Sequence, residues 1–363
     1  MKINVKETKI ICENPGNPHH NYFAWPSVAR LRDGRLAMVA SGFRMRHVCP
    51  VGKVVMCISD NEGRTWTRPT VVMDTPLDDR DAGILTFGEN SLMITSFNNT
   101  IAMQKKWNKL TDENGNINPR SVYINGYLES VNAQKAEEKY LGSTVIFSHD
   151  GGRTFGDVKR VPITAPHGAT LMNDGSILYI GRTFSADDTK QDTDCIESYR
   201  IMPDGSYEKL GEIENISPEL LSCEPHAIVL KDGTILVHIR VQNGLFTIFQ
   251  SESYDGGHTF TKPHQILSDK GGAPAHLLQT ADGTLISVYG YREIPYGIKA
   301  MFSTDGGQTW DTGHDIYING ISSDLGYPAS VQLENGDILT VFYAKPHQGS
   351  PAVIMQTVWN FEK

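Results

Sequence analysis

Residues 224–240 read EPHAIVLKDGTILVHIR, in which two apolar runs flank an Asp-Gly pair. An Asp-Gly, Glu-Asn or Asn-Gly pair between two such runs is a strong signal of a β-hairpin, and we expect two-residue turns. The pattern occurs six times in the chain. The other five copies, two of them degenerate, begin at Trp25, Asp81, Pro166, Pro274 and Tyr327. The sequence therefore predicts six similar hairpins.

The spacing of these hairpins predicts the architecture. Their turns, separated by 56, 85, 58, 50 and 53 residues, lie at Asp33, Glu89, Asp174, Asp232, Asp282 and Asn335. The long interval contains residues 101–140, which are rich in Asp, Asn and Lys and end in a predicted surface helix. Without this segment the period is roughly 50 residues, which is typical of a β-propeller. We expect an all-β fold, a six-bladed β-propeller with four-stranded blades. It would occupy residues 1–363 as one domain, with 101–140 inserted in the second blade.

The two ends of the chain are predicted to close the ring. Only one apolar strand, residues 352–361, follows the last hairpin, so the sixth blade lacks a fourth strand. The amino-terminal segment INVKETKII, residues 3–11, can supply it. A solenoid is the alternative architecture, but it would leave this strand unpaired and two sheet edges open.

A second repeat, S-x-D-x-G-x-T-[WF], supports the same periodicity. Its four copies, SDNEGRTW, SHDGGRTF, SYDGGHTF and STDGGQTW, begin at Ser59, Ser148, Ser253 and Ser303. The Asp side chain can cap backbone N–H groups of a tight turn, and the Gly tolerates a positive φ. We interpret these turns as scaffold on the rim, away from the axis.

The heads of the six hairpins are predicted to meet at the propeller axis, because the first strand of each blade lines the channel. Alignment by the turns places there Trp25, Asp81, Ala165 or Pro166, Glu224, Pro274 and Tyr327. Three histidines from consecutive blades follow them, namely His167, His226 and His276. They could be hydrogen-bonded channel lining, substrate contacts, or a metal or proton-transfer site.

Arginines collect near the ends of the second strands. Arg182 and Arg240 occupy equivalent positions, and Arg292 lies slightly further along its blade. Three more basic candidates follow the second strand of the first blade, namely Arg44, Arg46 and His47. Guanidinium groups bind carboxylates bidentately, so the pattern predicts a pocket for an anionic ligand.

Composition and termini bound the function. A formal charge of -9 argues against a nucleic-acid groove. No stretch approaches the roughly 18 apolar residues of a membrane span, and the amino terminus lacks the apolar core of a secretory signal. Five cysteines without a C-x-x-C pair suggest reduced thiols, and together with the absent signal they favour a cytoplasmic protein. No motif has recognised metal-ligand spacing, so we expect neither a metal nor a cofactor.

The second repeat matches the Asp-box, and the chain resembles the sialidase (neuraminidase) superfamily along nearly its whole length. Sialidases place a Glu at the head of the fourth-blade strand, an Arg after it, another in blade five, and a Tyr at the head of blade six. Glu224, Arg240, Arg292 and Tyr327 match these positions. The resemblance implies that Tyr327 is a nucleophile deprotonated by Glu224, and that the two arginines clamp the carboxylate of an acidic sugar. A neutral phenol avoids the repulsion that a carboxylate nucleophile would meet there.

The first departure from the family is a missing arginine. Phe23-Ala24-Trp25-Pro26 stands where the family has an Arg-Ile-Pro-type motif, so the first Arg of its three-Arg cluster is absent from its usual place. The candidates to replace it are Arg44, Arg46 and Arg182.

The second departure concerns the acid/base residue. The family's Asp belongs in the loop before the first Asp-box, but residues 44–53 contain no carboxylate. We expect Asp81 to take this role, with His47 as the second candidate. Two further residues complete the predicted substrate-binding set, namely Arg80 beside Asp81 and Trp25 at the axis.

Three functions remain open for this pocket. The first is an exo-acting glycoside hydrolase that releases a terminal acidic sugar, such as sialic acid or a related ulosonic or uronic acid. The second is a lyase or atypical glycosidase that acts on uronate-containing glycans through His and Tyr, and ultraviolet-absorbing products would identify a lyase. The third is a carbohydrate-binding propeller without catalysis.

Overall fold

The computed structural model describes residues 1–183, 195–268 and 271–363, and for residue 273 the backbone alone. Six antiparallel sheets are arranged as blades around one axis. Five sheets have four strands, and the third has five because its first strand is divided into two short pieces. The first strands of neighbouring blades contact one another around the whole ring. The prediction of a six-bladed β-propeller is confirmed.

The strands follow one another blade by blade along the chain. The amino terminus forms β1 (Lys2–Cys12) and a short 3-10 helix (Pro18–His20). Blade one contains β2 (Tyr22–Arg30), β3 (Leu36–Arg44), β4 (Lys53–Ser59) and β5 (Thr70–Met73). Blade two contains β6 (Arg80–Phe87), β7 (Ser91–Phe97), β8 (Ser143–Ser148) and β9 (Lys159–Val161). Blade three contains β10 (Ile163–Thr164), β11 (Thr170–Leu171), β12 (Ile177–Thr183), β13 (Ile196–Ile201) and β14 (Tyr207–Ile213).

The remaining blades repeat the same order. Blade four contains β15 (Ser222–Val229), β16 (Ile235–Val241), β17 (Thr247–Ser253) and β18 (His264–Gln265). Blade five contains β19 (Gly272–Gln279), β20 (Leu285–Tyr291), β21 (Gly297–Ser303) and β22 (Asp311–Tyr317). Blade six contains β23 (Gly326–Gln332), β24 (Ile338–Ala344) and β25 (Val353–Glu362).

The amino-terminal strand completes the sixth blade. Strand β1 pairs antiparallel with β25, in a register that runs from Lys2 opposite Glu362 to Cys12 opposite Ile354. The first and last strands of the chain therefore belong to one sheet, as predicted. This pairing removes the open edge that a solenoid would present.

The hairpin turns differ from the prediction of two-residue loops. In blade one, Leu31 N–H donates to Arg35 O at 2.7 Å, and Gly34 N–H donates to Leu31 O at 3.0 Å. Three residues therefore form the loop, and Gly34 has a φ of 90°. The same two hydrogen bonds recur around Gly233 in blade four. The Asp-Gly pairs thus mark a turn followed by a left-handed glycine, a conformation that glycine adopts without steric cost.

The S-x-D-x-G-x-T-[WF] turns join the third and fourth strands of their blades, so they lie away from the axis. In blade two, Asp150 Oδ1 accepts from Ser148 Oγ at 2.8 Å and from Thr154 N–H at 2.9 Å. In blade one Asn61 replaces the Asp and accepts from Thr65 N–H at 2.9 Å. The motif is accordingly a hydrogen-bonded turn.

Three helices lie between β7 and β8 of the second blade, namely α1 (Ile101–Trp107), α2 (Pro119–Ser130) and α3 (Ala133–Tyr140). Only the last was predicted. Their buried Ile101, Ile124 and Leu128 pack with Met45 and Leu77 from the loops above blade one, so the helices sit at the mouth where the axial site opens. No helix in the described ranges has the length and apolarity needed to cross a membrane.

Candidate functional site

Four of the predicted axial residues share one unusual backbone conformation. Trp25, Asp81, Glu224 and Tyr327 have φ values of 54°, 49°, 49° and 50°. Each belongs to a β-bulge in which two residues of the first strand face one residue of the second. Left-handed backbone at a residue other than glycine costs roughly 1–3 kcal/mol, and such outliers cluster at functional sites. The bulges aim four side chains at one place on the axis.

Blade five has the same bulge, and blade three departs from the pattern. In blade five the bulge spans residues 273 and 274, between Gly272 and Ala275 in the register. Pro274 is therefore equivalent to Pro225 and Pro328, and its alignment with Glu224 and Tyr327 was wrong by one residue. In blade three the first strand is interrupted between β10 and β11, so Ala165 and Pro166 lie outside any strand.

Tyr327, Glu224 and Arg240 form a connected group on the axis. The Tyr327 hydroxyl donates a hydrogen bond to Glu224 Oε1. Arg240 Nη1 donates to Glu224 Oε2, and it lies 3.3 Å from the Tyr327 hydroxyl. Burial, and then the negative charge of Glu224, raise the pKa of Tyr327 well above its usual value. The phenol is therefore neutral at rest, with an acceptor for its proton already in place.

Asp81 lies beside this group and is buried. Burial raises the pKa of Asp81 to about 7, Arg80 opposes the shift, and the charge of Glu224 adds to it. Among the described residues, no group donates a hydrogen bond to its carboxylate. An Asp that is partly protonated near neutral pH can act as a general acid.

Arg292 approaches the same group from blade five. Its guanidinium carbon lies 5.7 Å from the centroid of the Tyr327 ring, and its Nη2 donates to the Tyr343 hydroxyl at 3.1 Å. Tyr343 was not predicted. It faces Gly326 across β23 and β24, as Arg240 faces Cys223 across β15 and β16. Alignment of the repeats by strand register would have identified Tyr343 as a candidate.

Two further arginines flank the group. Arg182 lies near the end of β12. Burial and the charge of Glu224 raise the pKa of Cys223 to about 12, and the nearby positive charge of Arg182 opposes this rise. The guanidinium carbon of Arg80 lies 4.6 Å from the centroid of the Trp25 indole. Both side chains are half-buried, so both retain surface that a ligand could contact.

Arg44 and Trp25 were predicted to bind substrate, and their burial contradicts this. Arg44 has no exposed side-chain surface and forms an ion pair with Asp78 at 2.6 Å. Trp25 is 2% exposed, with the guanidinium carbon of Arg44 at 4.8 Å from its ring. The indole also contacts the Tyr327 ring, with centroids 6.4 Å apart. Trp25 therefore packs against the ring of Tyr327, the candidate nucleophile.

Arg46 and His47 lie outside the axial group. Arg46 donates to Asn108 Oδ1 at 2.6 Å and to Ser121 Oγ at 3.2 Å, so it fastens the inserted helices to the loop after β3. His47 Nδ1 lies 2.8 Å from the Tyr22 hydroxyl and 3.2 Å from Asp324 Oδ1. Partial burial lowers the pKa of His47, whose side chain is 47% exposed, so it is protonated less often at neutral pH than a free histidine. Asp81 is the better acid candidate.

The three predicted histidines meet on the axis. The His226 and His276 rings stack with centroids 4.4 Å apart, and His167 lies 5.3 Å from His276. His226 Nδ1 accepts from Leu277 N–H of the next blade at 2.9 Å. Burial lowers the pKa of His167 and His226 well below the usual value and that of His276 to about 3. Neutral rings that bridge neighbouring strands, with His167 and His226 buried and His276 half-buried, favour the interpretation as channel lining.

One group of side chains has the spacing of a metal site. Ligand atoms of Cys195, Glu197 and Glu212 lie within 4.8 Å of one another. The Lys209 ammonium already lies 2.5 Å from Glu197 Oε1 and 3.0 Å from Glu212 Oε2. A metal ion would have to displace this ammonium, so we assign no metal to the group.

Comparison with known proteins agrees with the fold. Residues 127–340 match the BNR repeat-like domain family. No curated protein matches the chain in sequence. Among solved structures, a protein of unknown function from Dyadobacter fermentans is similar over 99% of both chains, with 19% identity and a TM-score of 0.75.

Two sialidases have the same fold. The NanB sialidase of Streptococcus pneumoniae is 13% identical, with a TM-score of 0.69 over 96% of this chain and 70% of its own. The intramolecular trans-sialidase of Ruminococcus gnavus is 11% identical, with a TM-score of 0.63 over 95% of both chains. At such identities the likeness is one of fold. The chain belongs to the BNR repeat-like domain family and shares the six-bladed β-propeller fold of these sialidases.

Proposed function

We propose that the protein is an exo-acting glycoside hydrolase that releases a terminal acidic sugar through a tyrosine nucleophile. The observation that carries this proposal is the hydrogen bond from the Tyr327 hydroxyl to Glu224 Oε1. A nucleophile hydrogen-bonded to a base, with the base oriented by a third group, is the usual arrangement in covalent catalysis. Here Arg240 is the third group.

In the first step, Tyr327 Oη forms a bond to the anomeric carbon while the bond to the leaving oxygen breaks. The phenol proton passes to Glu224 Oε1, and Asp81 gives its proton to the leaving oxygen. In the second step, Asp81 takes a proton from water, whose oxygen attacks the anomeric carbon. The bond to Tyr327 breaks, and the phenolate recovers its proton from Glu224. The two carboxyl groups end in their starting states.

Arg240 has two roles in this scheme. In the resting site its ion pair with Glu224 holds that carboxylate beside the phenol. Nη1 also lies 3.3 Å from the Tyr327 hydroxyl, so its positive charge stabilises the phenolate that forms when the proton leaves. A pre-placed cation where negative charge develops lowers the barrier without reorganisation.

Positive charge supports an acidic sugar as the substrate. Arg80, Arg240 and Arg292 face the two carboxyl groups of Asp81 and Glu224, and Asp81 carries only part of its charge at neutral pH. Neither Arg80 nor Arg292 forms an ion pair with a described carboxylate. A sugar carboxylate could therefore bind two guanidinium groups that are otherwise occupied only by neutral partners.

The lyase alternative receives less support. Its proposed histidines are buried, and their lowered pKa values make them weak bases. A protein that only binds sugar would have no need for Asp81, which is buried and held in a left-handed backbone conformation. We therefore retain hydrolysis as the single proposal.

The proposal is tested by hydrolysis of aryl glycosides of sialic acid, a uronic acid and a neutral hexose. We expect the wild type to cleave one of the acidic glycosides at least about 10²-fold faster in kcat/KM than the neutral one, because pairing with arginine is lost without the carboxylate. Cleavage of the neutral glycoside at an equal rate would contradict the acidic substrate. Release of an ultraviolet-absorbing unsaturated product would contradict hydrolysis.

The pH dependence tests the role of Asp81. Because its pKa is raised to about 7, its protonated fraction falls above that pH. Log kcat/KM should therefore decline with a slope approaching about −1 on the alkaline side.

Asp81→Asn should lower kcat/KM by about 10²–10⁴-fold for a poor leaving group, and by much less for a nitrophenol, which leaves without a proton. Equal losses for both leaving groups would contradict a general acid.

A stability measurement separates this effect from misfolding. Folding raises the Asp81 pKa, so the native state binds more protons than the unfolded state between about pH 4 and pH 7. The raised pKa of Asp81 therefore lowers the free energy of unfolding as the pH rises through that window. Above about pH 7 the buried, charged carboxylate continues to destabilise the native state. Asp81→Asn should therefore melt at the same or a higher temperature than the wild type at pH 8. A lower melting temperature would make the loss of activity uninformative about acid catalysis.

A further inference from the structure

A second cavity, of about 730 Å³, opens beside the axial group. It is lined by the loops of blades one and six, by the 3-10 helix and by the start of α2. Among its lining residues are Tyr22, Arg46, His47, Arg120, Asp324 and Lys345. Its volume is sufficient for a sugar unit, since small-molecule sites commonly have about 300–1,000 Å³.

The cavity is basic, although the protein as a whole is acidic. Arg46, Arg120 and Lys345 contribute three positive charges, and Asp324 contributes one negative charge through its 3.3 Å ion pair with Lys345. Within the described part of the chain, no carboxylate forms an ion pair with Arg46 or Arg120. Burial, and then the charge of Arg120, lower the pKa of Arg46, as expected for two neighbouring cations without a shared anion.

Only one layer of side chains separates this cavity from the nucleophile candidate. His47 and Tyr22 line the cavity, and their ring centroids lie 5.0 Å and 6.4 Å from that of Trp25. Trp25 also contacts the Tyr327 ring. The cavity is therefore adjacent to the axial group, with the buried Trp25 between its lining residues and Tyr327.

The inserted helices build the cation-rich wall. Arg46 is held by Asn108 at the end of α1 and by Ser121 in α2. Arg120 is the second residue of α2, directly before Ser121, and its side chain is exposed. The hydrogen bonds of Arg46 therefore fix the place at which Arg120 enters the cavity.

We propose that this cavity binds a second anionic group, on the leaving-group side of the substrate. The proposal rests on the proposed function, because a substrate has a leaving group only if it is cleaved. The affinity of the cavity for an anionic sugar does not depend on catalysis. The substrate class is then an acidic sugar linked to another charged unit, which carries either a sulfate ester or a carboxylate. Two guanidinium groups without a protein anion would pair with it.

Direct binding tests the cavity without any turnover. Galactose 6-sulfate, galacturonic acid and galactose are titrated by ligand-observed NMR into the wild type, Arg120→Glu and Arg153→Glu. The exposed Arg153 lies in the turn between β8 and β9, so it is a matched charge reversal away from the cavity. We expect at least one anionic sugar to bind, galactose to bind at least about 10-fold more weakly, and Arg120→Glu alone to lose at least about 10-fold in affinity.

A third variant identifies which site holds the sugar. Binding in the cavity should survive Arg292→Gln, because Arg292 contacts Tyr327 and Tyr343 in the axial group and does not line the cavity. Binding that is lost in Arg292→Gln and kept in Arg120→Glu would place the ligand on the axis and overturn the proposal. Equal affinities for galactose and both anionic sugars would also overturn it. Failure of all the glycosides to be hydrolysed would contradict the proposed function and leave these binding results intact.

Discussion

Tyr327→Phe is expected to lower kcat on the preferred acidic glycoside by at least about 10³-fold, with KM changed much less. The substitution removes only the hydroxyl, which is the atom proposed to attack the anomeric carbon. The phenyl ring keeps its contacts with Trp25 and Tyr343. Glu224 retains its ion pair with Arg240, so no charge is left unpaired. The expected loss therefore belongs to the chemical step, and single-turnover kinetics would locate it there.

Tyr317→Phe is the matched control for this experiment. Tyr317 is also buried, but it lies on the outer strand of blade five. Its hydroxyl donates to Asn319 O at 3.0 Å. We expect its kcat to match the wild type within about two-fold, since nothing near the axis changes. Tyr327→Phe activity within about 10-fold of the wild type would exclude the tyrosine as nucleophile. Glu224 or Asp81 would then have to activate water directly.

The fold could be predicted because its information is periodic and local. Each hairpin repeats the same apolar runs and the same glycine, and six copies at a regular spacing leave few architectures. The heads of the strands could be predicted for the same reason, and Glu224, Asp81 and Tyr327 do meet on the axis. The length of the turns was missed, because Asp-Gly is compatible with both the two-residue loop and the three-residue loop found at Gly34.

The side-chain environment was less predictable. Arg44 and Arg240 both lie at the ends of second strands, yet one pairs with Asp78 without any exposed surface and the other contacts Glu224 on the axis. Their difference depends on packing between a loop and the inserted helices, which no local pattern encodes. Helix α2 was missed because it has no clear apolar stripe. The basic cavity was missed because Arg120, Asp324 and Lys345 come from three distant segments.

The strained bulges connect the fold to the proposed chemistry. A straight first strand would point alternate side chains into the neighbouring blades, whereas two residues opposite one turn the side chain toward the mouth. Proline follows Trp25, Glu224 and Tyr327. It has no N–H to donate, so it fits the unpaired position of a bulge. The cost of left-handed backbone is thus concentrated where the candidate catalytic groups stand.

Asp78→Ala is expected to destabilise the protein by about 3–5 kcal/mol, the usual cost of removing one partner from a buried ion pair. The substitution would leave the Arg44 guanidinium, which has no exposed surface, without a carboxylate. Asp78 Oδ2 also accepts from Cys49 N–H at 3.3 Å and from Gln104 Nε2 at 3.1 Å. Its loss therefore loosens both the loop after β3 and helix α1. Urea unfolding, followed by tryptophan fluorescence, measures the change.

Asp74→Ala is the control, because Asp74 pairs with Lys53 at the surface with half of its side chain exposed. Exposed pairs contribute about 0–1 kcal/mol, so this variant should unfold near the wild-type urea concentration. The double variant Arg44→Met/Asp78→Leu should be more stable than Asp78→Ala, since it leaves no buried guanidinium without a carboxylate. If Asp78→Ala cost no more than Asp74→Ala, water would have to reach Arg44. Arg44 would then again be a candidate for the missing arginine of the pocket, because its guanidinium already lies against Trp25 at the edge of the axial group.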